Sequence, residues 1–158
     1  MKRIIILGFC ILLVVGCGFV QYNIHGHFVS LDETVDFRHI HYQTSTSFDY
    51  NSDKNYRSYC LYDKRPNVLY SVKVSRVMGS MNKDVEAMKK EKNAKMKKQK
   101  IHGISWILLT YKEEKEYHLY YASYDKKEYY QVEFYHADYG KDFEKQFMKT
   151  ITIDRGES

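Results

Sequence analysis

The most informative segment for the fold is VLYSVKVSRVM, which occupies residues 68–78. Within it, Val72 and Val74 alternate with Lys73 and Ser75, so that one face is mostly apolar and the other polar. A period of two is typical of an antiparallel strand with one buried side. The segment therefore predicts an antiparallel sheet, and the neighbouring segments show how that sheet continues.

Further strand patterns follow this segment. Residues 104–109 are apolar on both faces, which favours a place in the centre of the sheet. Residues 116–124 and 128–136 alternate and are separated by a short charged turn, so they predict a hairpin. Ile151 and Ile153 predict a closing edge strand.

Two helices are predicted between the strands. The first covers residues 83–101 with Asn82 as its N-cap, and its lysines lie towards the C-terminal end, where they complement the helix dipole. In the second, Tyr139, Phe143 and Phe147 recur every four residues and predict one aromatic face. The opposite face is predicted to carry Lys141, Glu144 and Lys145. This order predicts an α+β fold, an antiparallel β-sheet with a long basic helix and a short C-terminal helix packed on it.

The first 16 residues have the order of an export signal. Lys2 and Arg3 precede an apolar run over residues 4–15, and small residues follow it. The end of this run, Val14-Val15-Gly16-Cys17, resembles the lipobox of bacterial lipoproteins. The resemblance implies cleavage before Cys17 and acylation of its thiol.

The lipobox resemblance divides the chain into three parts. Residues 1–16 are a lipoprotein signal peptide, residues 17–33 a lipidated N-terminus and tether, and residues 34–158 a single α+β domain. The expected location is the extracytoplasmic face of the cell membrane, with the membrane itself as a partner through the anchor. Two alternatives stay open: an uncleaved transmembrane helix at residues 4–20 and a plain secreted protein.

Cysteine usage agrees with export. Cys10 lies in the predicted signal peptide and Cys17 at the predicted lipid attachment, so Cys60 is left without a partner for an internal disulfide. Because Cys60 lies in a strand-like segment, we expect a buried and unreactive thiol.

Positive charge is concentrated in one segment. Residues 83–100 hold eight lysines against three carboxylates, a balance of +5, which equals the formal net charge of the whole chain. Such a segment is suited to an anionic bilayer or anionic envelope polymer, or it is simply a solvated helix face. The candidate contact lysines are Lys89, Lys90, Lys97 and Lys98. Export argues against nucleic acid as a partner.

Tyrosine is the most unusual residue type, with 16 in the chain. On a hairpin, the alternation of side chains places some of these tyrosines on each face, so one set is expected to be exposed. Exposed tyrosine suits recognition of an envelope protein or a glycan, whereas cross-strand tyrosine pairs stabilise a sheet. The candidate binding residues are Tyr117, Tyr120, Tyr121, Tyr124 and Tyr129.

The order of elements from Ile101-His102-Gly103-Ile104-Ser105-Trp106 to the segment 143–151 resembles the PsbP-like fold as it occurs in small bacterial envelope lipoproteins. The resemblance covers roughly residues 35–154. It implies a non-enzymatic binding or assembly role and carries no functional residue over.

The sequence offers no catalytic signature and predicts neither a cofactor nor a metal site. His39 and His41 would lie about 7 Å apart on one face of a strand, but zinc needs further ligands. A small metal-dependent or hydrolytic envelope enzyme that uses these histidines is the alternative to a binding module.

Overall fold

The computed structural model of the chain describes residues 20–156, so the predicted signal peptide, the alternative transmembrane helix up to residue 19 and Cys17 lie outside the described residues. Of the described residues, 55% lie in strands and 15% in helices. Among residues 20–156 no helix is long and apolar enough to cross a membrane.

The structure contains twelve strands and two helices in the part of the chain that it describes. In chain order they are β1 (Gln21–Ile24), β2 (His27–Ser30), β3 (Glu33–Phe37), β4 (Ile40–Thr44), β5 (Asp49–Asp53), β6 (Tyr56–Tyr62), β7 (Val68–Met78), α1 (Met81–Glu91), β8 (Lys95–Ile101), β9 (Ile104–Lys112), β10 (Glu116–Ser123), β11 (Glu128–Tyr135), α2 (Lys141–Thr150) and β12 (Thr152–Ile153).

Seven of the strands form one antiparallel sheet in the order β5-β6-β7-β11-β10-β9-β8. β7 pairs with β11, so the chain leaves the middle of the sheet after β7 and reaches the far edge through α1. From that edge, β8 to β11 return to β7 through consecutive hairpins. β5 and β8 are therefore the two edge strands.

The strand predictions after residue 68 are confirmed. The strand predicted over residues 68–78 is β7, and its apolar residues Val72 and Val74 are fully buried. The predicted hairpin is the pair β10 and β11, and β12 supplies the short closing strand. The segment 104–109 begins β9, which lies one position from the edge of the sheet instead of in its centre.

The predicted long basic helix is wrong beyond Glu91. The helix α1 ends there because Asn93 adopts a left-handed conformation with φ of 49°, which asparagine tolerates better than most residues. Residues Lys95–Ile101 then form β8 and pair with β9 along their whole length. Lysines on an edge strand hinder pairing with a strand of another chain, so the lysines of β8 protect this edge of the sheet.

The main core lies on one face of the large sheet under α2. Phe143 and Phe147 of α2 are fully buried there against Tyr70, Val132 and Phe134 of the sheet. These rings meet edge to face, with the Phe134 and Phe147 centroids 5.6 Å apart. A smaller cluster on the opposite face packs α1 against β9, β10 and β11.

The predicted tether over residues 17–33 is wrong for its described part. β1 and β2 form a hairpin in which Ile24 and Val29 are buried in the main core. Its turn is stabilised by a 2.8 Å hydrogen bond from the Gly26 amide to the Asn23 side chain, and Gly26 adopts φ of 88°. β3 and β4 follow this hairpin in the chain and form a separate three-stranded sheet with β12, in the order β12-β4-β3. The packed structure therefore begins before residue 34.

The predicted α+β, PsbP-like fold class is also wrong. The structure is mostly antiparallel β-sheet with two helices of 11 and 10 residues, and it lacks the long helix of the prediction within residues 20–156. The difference arises because the last seven residues of the predicted helix form β8 and because the predicted tether contributes two strands.

Candidate functional site

A pocket with a volume of about 490 Å³ lies between the edge strand β8 and the helix α2. Four lysines line it, and we call it the basic pocket: Lys100 from the end of β8, and Lys141, Lys145 and Lys149 from α2. The other lining residues are Gln99, Ile101, His102, His118, Tyr120, Glu144 and Met148.

The three α2 lysines follow from the helical period. Lys141, Lys145 and Lys149 are four residues apart, so they lie along one side of α2, and all three are exposed. The same period places Phe143 and Phe147 in the core. α2 therefore presents a row of three ammonium groups to the pocket. Lys100, near the end of β8, adds a fourth.

The buried wall of the basic pocket is a hydrogen-bonded network around Glu144. The Glu144 carboxylate accepts a hydrogen bond from Nδ1 of His118 at 2.7 Å and one from the Tyr120 hydroxyl at 2.6 Å. Nε2 of His118 lies 2.9 Å from the Glu116 carboxylate. The network joins β10 to α2 and fixes the position of the carboxylate. The prediction that Glu144 faces outward is wrong, because Glu144 is only 5% exposed.

The charges of this network partly cancel. Burial alone would lower the pKa of His118, but the hydrogen bonds and charges of Glu144 and Glu116 outweigh burial and raise it above 6.5. Burial, reinforced by Glu144, raises the pKa of the Tyr120 hydroxyl far above its ordinary value, so Tyr120 stays protonated. An imidazolium at His118 offsets the carboxylate of Glu144, and Glu116, which does not line the pocket, leaves the network with one net negative charge.

The four lysines outweigh the one net negative charge of the network, so the basic pocket is positively charged. Within residues 20–156, none of Lys100, Lys141, Lys145 and Lys149 lies within 4 Å of a carboxylate oxygen. Ammonium groups without carboxylate partners, around a cavity with a partly apolar wall of Ile101 and Met148, are suited to an anion that also carries an apolar part.

Three of the five candidate binding tyrosines are buried, which corrects their prediction as an exposed surface. Tyr121 and Tyr129 lie under α1, where the Tyr129 hydroxyl donates a 2.8 Å hydrogen bond to Asp84. Tyr120 is 6% exposed and packs on the α2 side against Trp106. The predicted alternation of Tyr120 and Tyr121 between the two faces is confirmed, but a packed helix covers each face.

The two remaining candidate tyrosines are half-buried and stacked. Tyr117 lies face to face with Tyr111, with ring centroids 4.7 Å apart and an interplanar angle of 4°. Tyr124 stacks on His39 with centroids 4.6 Å apart. Since one face of each ring is already covered, these residues serve the sheet and leave little free area for a ligand.

The candidate lysines of the basic segment separate onto different elements. Lys89 and Lys90 lie on α1, where Lys89 forms an ion pair of 3.7 Å with Glu86. Lys97 and Lys98 are exposed on β8, and their neighbour Lys100 lines the basic pocket. The structure therefore does not bring the four candidates together on one helix face.

The side chains of His39 and His41 have different partners. His41 is engaged by Asp36 at 2.7 Å, whereas His39 stacks on Tyr124. No group of three or more metal-ligating side chains occurs among residues 20–156.

The expectation of a buried Cys60 is wrong, because Cys60 is partly exposed on β6.

A second cavity, of about 610 Å³, lies beside the buried imidazole of His136. His136 stacks on Tyr139, with centroids 4.6 Å apart, and its Nδ1 has no hydrogen-bond partner within the described part of the chain. Burial, and after it the charge of Lys115, lowers the pKa of His136 below 6.5. Its lining holds one lysine, Lys115, and one carboxylate, Asp63, so this cavity carries less positive charge than the basic pocket.

Comparisons with known proteins add no functional assignment. Neither the protein-family models nor the curated proteins give a match to the chain. A solved structure from Bacteroides thetaiotaomicron VPI-5482 is similar over 73% of this chain and 45% of its own, with 13% identity and a TM-score of 0.47. The chain thus spans less than half the length of that protein, and a likeness of this degree defines neither fold family nor function.

Proposed function

We propose that the protein is a non-enzymatic binding module, anchored by lipid at Cys17 on the extracytoplasmic face of the cell membrane, whose basic pocket binds an anionic ligand. The anchor is supported by the order of charged, apolar and small residues that ends in Val14-Val15-Gly16-Cys17. The ligand class is supported by the four lysines of the pocket.

One observation carries the ligand class. The carboxylate that lines the basic pocket, Glu144, is already bonded to His118 and Tyr120, while the four lysines have no carboxylate partner in the described residues. An entering anion therefore gains the ammonium groups as partners without displacing a competing carboxylate. Charge-assisted hydrogen bonds of this kind are about twice as strong as neutral ones.

The geometry of His118 supports binding over catalysis. Both ring nitrogens of His118 face carboxylates, Nδ1 with Glu144 at 2.7 Å and Nε2 with Glu116 at 2.9 Å. A general base must present a free nitrogen to the proton that it abstracts. His118 instead fills a structural position between β10 and α2, which is the reason for proposing a binding module.

Labelled palmitate and intact mass measurement test the anchor. We expect incorporation of the label into the wild-type chain, its loss in Cys17→Ala, and a mature mass that begins at Cys17. A mass that retains the first 16 residues would contradict the anchor.

Calorimetric titration of the detergent-solubilised protein with inorganic pyrophosphate tests the pocket. The variant Lys145→Gln/Lys149→Gln should bind at least about tenfold more weakly, because two charge-assisted contacts are lost. The variant Lys83→Gln/Lys90→Gln is the matched control, since it removes the same charge from α1 on the opposite side of the sheet. Equal weakening in both variants would show that only overall charge matters and would refute the pocket.

A further inference from the structure

We infer that the anionic group bound in the basic pocket is the phosphate headgroup of an acidic phospholipid in the membrane that holds the anchor. This inference rests on the proposed function, because it takes both the anchor at Cys17 and the anion-binding pocket as given. It adds the chemical class of the ligand and the side of the domain that faces the bilayer.

The beginning of the described chain lies next to the basic pocket. Val20 lines a smaller cavity of about 270 Å³ together with Gln146, Lys149 and Thr150. Lys149 lines the basic pocket as well. Lys149 therefore lines both the cavity at the start of the described chain and the proposed anion site.

The length of chain between the anchor and this point is short. Val20 is the third residue after Cys17, and a fully extended chain advances at most about 3.6 Å per residue. A lipidated Cys17 at the membrane surface therefore holds Val20 within about 11 Å of that surface. Because Val20 shares a cavity with Lys149, the exposed side of α2 is held close to the bilayer.

The surface around this point has the composition of a membrane-binding face. Val20 is 68% exposed, so an apolar side chain lies at the surface where the described chain begins. Lys149, which lines both cavities, and Lys145, one helical turn before it on α2, supply positive charge on this side of the domain. Apolar side chains beside lysines are favoured at the surface of an anionic bilayer.

The partly apolar wall of the basic pocket also agrees with a phospholipid. Ile101 and Met148 line the cavity on the side where Tyr120 is buried, so the lysines bound an apolar surface instead of a fully polar one. A phosphodiester attached to a glycerol and acyl chains offers both an anion and an apolar part. A highly charged soluble polymer offers only the first.

Lysine acetylation footprinting on the acylated protein in nanodiscs tests the inference. Nanodiscs of phosphatidylcholine alone are compared with nanodiscs containing phosphatidylglycerol, and modification is quantified by mass spectrometry. We expect phosphatidylglycerol to slow acetylation of Lys145 and Lys149 at least threefold. Lys83 and Lys90, on the opposite side of the sheet, should react at the same rate in both nanodiscs.

Two further arms separate the inference from the proposed function on which it rests. Pyrophosphate added to the detergent-solubilised protein should protect Lys145 and Lys149 as phosphatidylglycerol does. Protection by pyrophosphate without protection by phosphatidylglycerol would overturn the lipid assignment and leave the anion site in place. Failure of both would overturn both proposals.

A polyanion arm decides between a lipid and a soluble polymer. Long-chain polyphosphate is added to the protein in phosphatidylcholine nanodiscs. If it protects Lys145 and Lys149 where phosphatidylglycerol does not, the ligand is a soluble anionic polymer and the inference is wrong. The variant Lys145→Gln/Lys149→Gln should bind dihexanoyl phosphatidylglycerol about 30-fold more weakly than the wild type, which corresponds to about fivefold for each lysine.

Discussion

Replacing Glu144 by glutamine is the sharpest test of the network that shapes the basic pocket. The substitution keeps the volume of the side chain but removes its charge, so Glu144 can no longer act as the counter-ion of His118 at 2.7 Å. Nδ1 of His118 and the Tyr120 hydroxyl both contact Oε1, at 2.7 and 2.6 Å, and Nδ1 also lies 2.9 Å from Oε2. In glutamine one of these two acceptors becomes an NH2 donor and the other becomes neutral, so the charge-assisted hydrogen bond of His118 is lost in a buried position.

The expected loss is about 2 kcal/mol in the free energy of unfolding, within the range for hydrogen bonds to charged groups. For a chain of this size, that loss lowers Tm by roughly 8 °C. The assay is denaturant unfolding of wild type and Glu144→Gln at several pH values. Glu133→Gln is the matched control, because burial raises the pKa of Glu133 and removal of its charge should leave stability unchanged or increase it.

The pH dependence distinguishes the ion pair from simple packing. Because the pKa of His118 is raised above 6.5 in the folded state, its stabilising contribution is present below 6.5 and is lost as pH rises through the folded-state pKa. The penalty of Glu144→Gln should therefore be largest at pH 5.5 and smaller at pH 9. A penalty below about 0.5 kcal/mol, or one that does not change with pH, would refute the reasoning.

Three other predictions concern stability away from the basic pocket. Gly140→Ala should lose roughly 1 to 3 kcal/mol on thermal unfolding, since a Cβ atom at Gly140 would lie 2.5 Å from the Tyr70 ring; an unchanged Tm would contradict this packing. Arg76→Gln should lose about 2 kcal/mol on urea unfolding, because Arg76 makes two 2.7 Å hydrogen bonds to Glu128, and wild-type stability would refute the value. The lowered pKa of His136 means that stability falls as pH drops below 6.5; His136→Gln should flatten this dependence, and an unaltered pH profile would be inconsistent with it.

Local alternation was enough to predict the central strands. In β7, valines on one face and polar residues on the other define both the element and its buried side, and the structure confirms both. The β1–β2 hairpin carried a readable signal as well. His25 and Gly26 form the turn between the buried Ile24 and Val29, and Asn23 accepts its hydrogen bond, but the polar residues of this segment favour a tether in the sequence.

The edge strand β8 depends on tertiary structure. Lys95–Ile101 is rich in residues that favour helices, and its sequence alone shows no strand period. The segment becomes a strand because it completes the hydrogen bonds of β9 after Asn93 ends the helix. That partner follows it in the chain and cannot be deduced from the lysine run itself.

The basic pocket was only partly visible in the sequence. The four-residue spacing of Lys141, Lys145 and Lys149 is readable on a predicted helix, whereas Lys100 lies in the part of the other predicted helix that forms β8. The inward orientation of Glu144 follows from a contact with His118, which lies 26 residues earlier in the chain. Pattern analysis of α2 alone therefore could not reveal it.

The most direct test of the anion site is NMR observation of the lysine ammonium groups during a titration with inorganic phosphate. The account predicts saturable shifts at the Nζ resonances of Lys100, Lys141, Lys145 and Lys149, with Lys83 and Lys90 unaffected. Equal shifts at all lysines, or no saturable shift at these four, would contradict it.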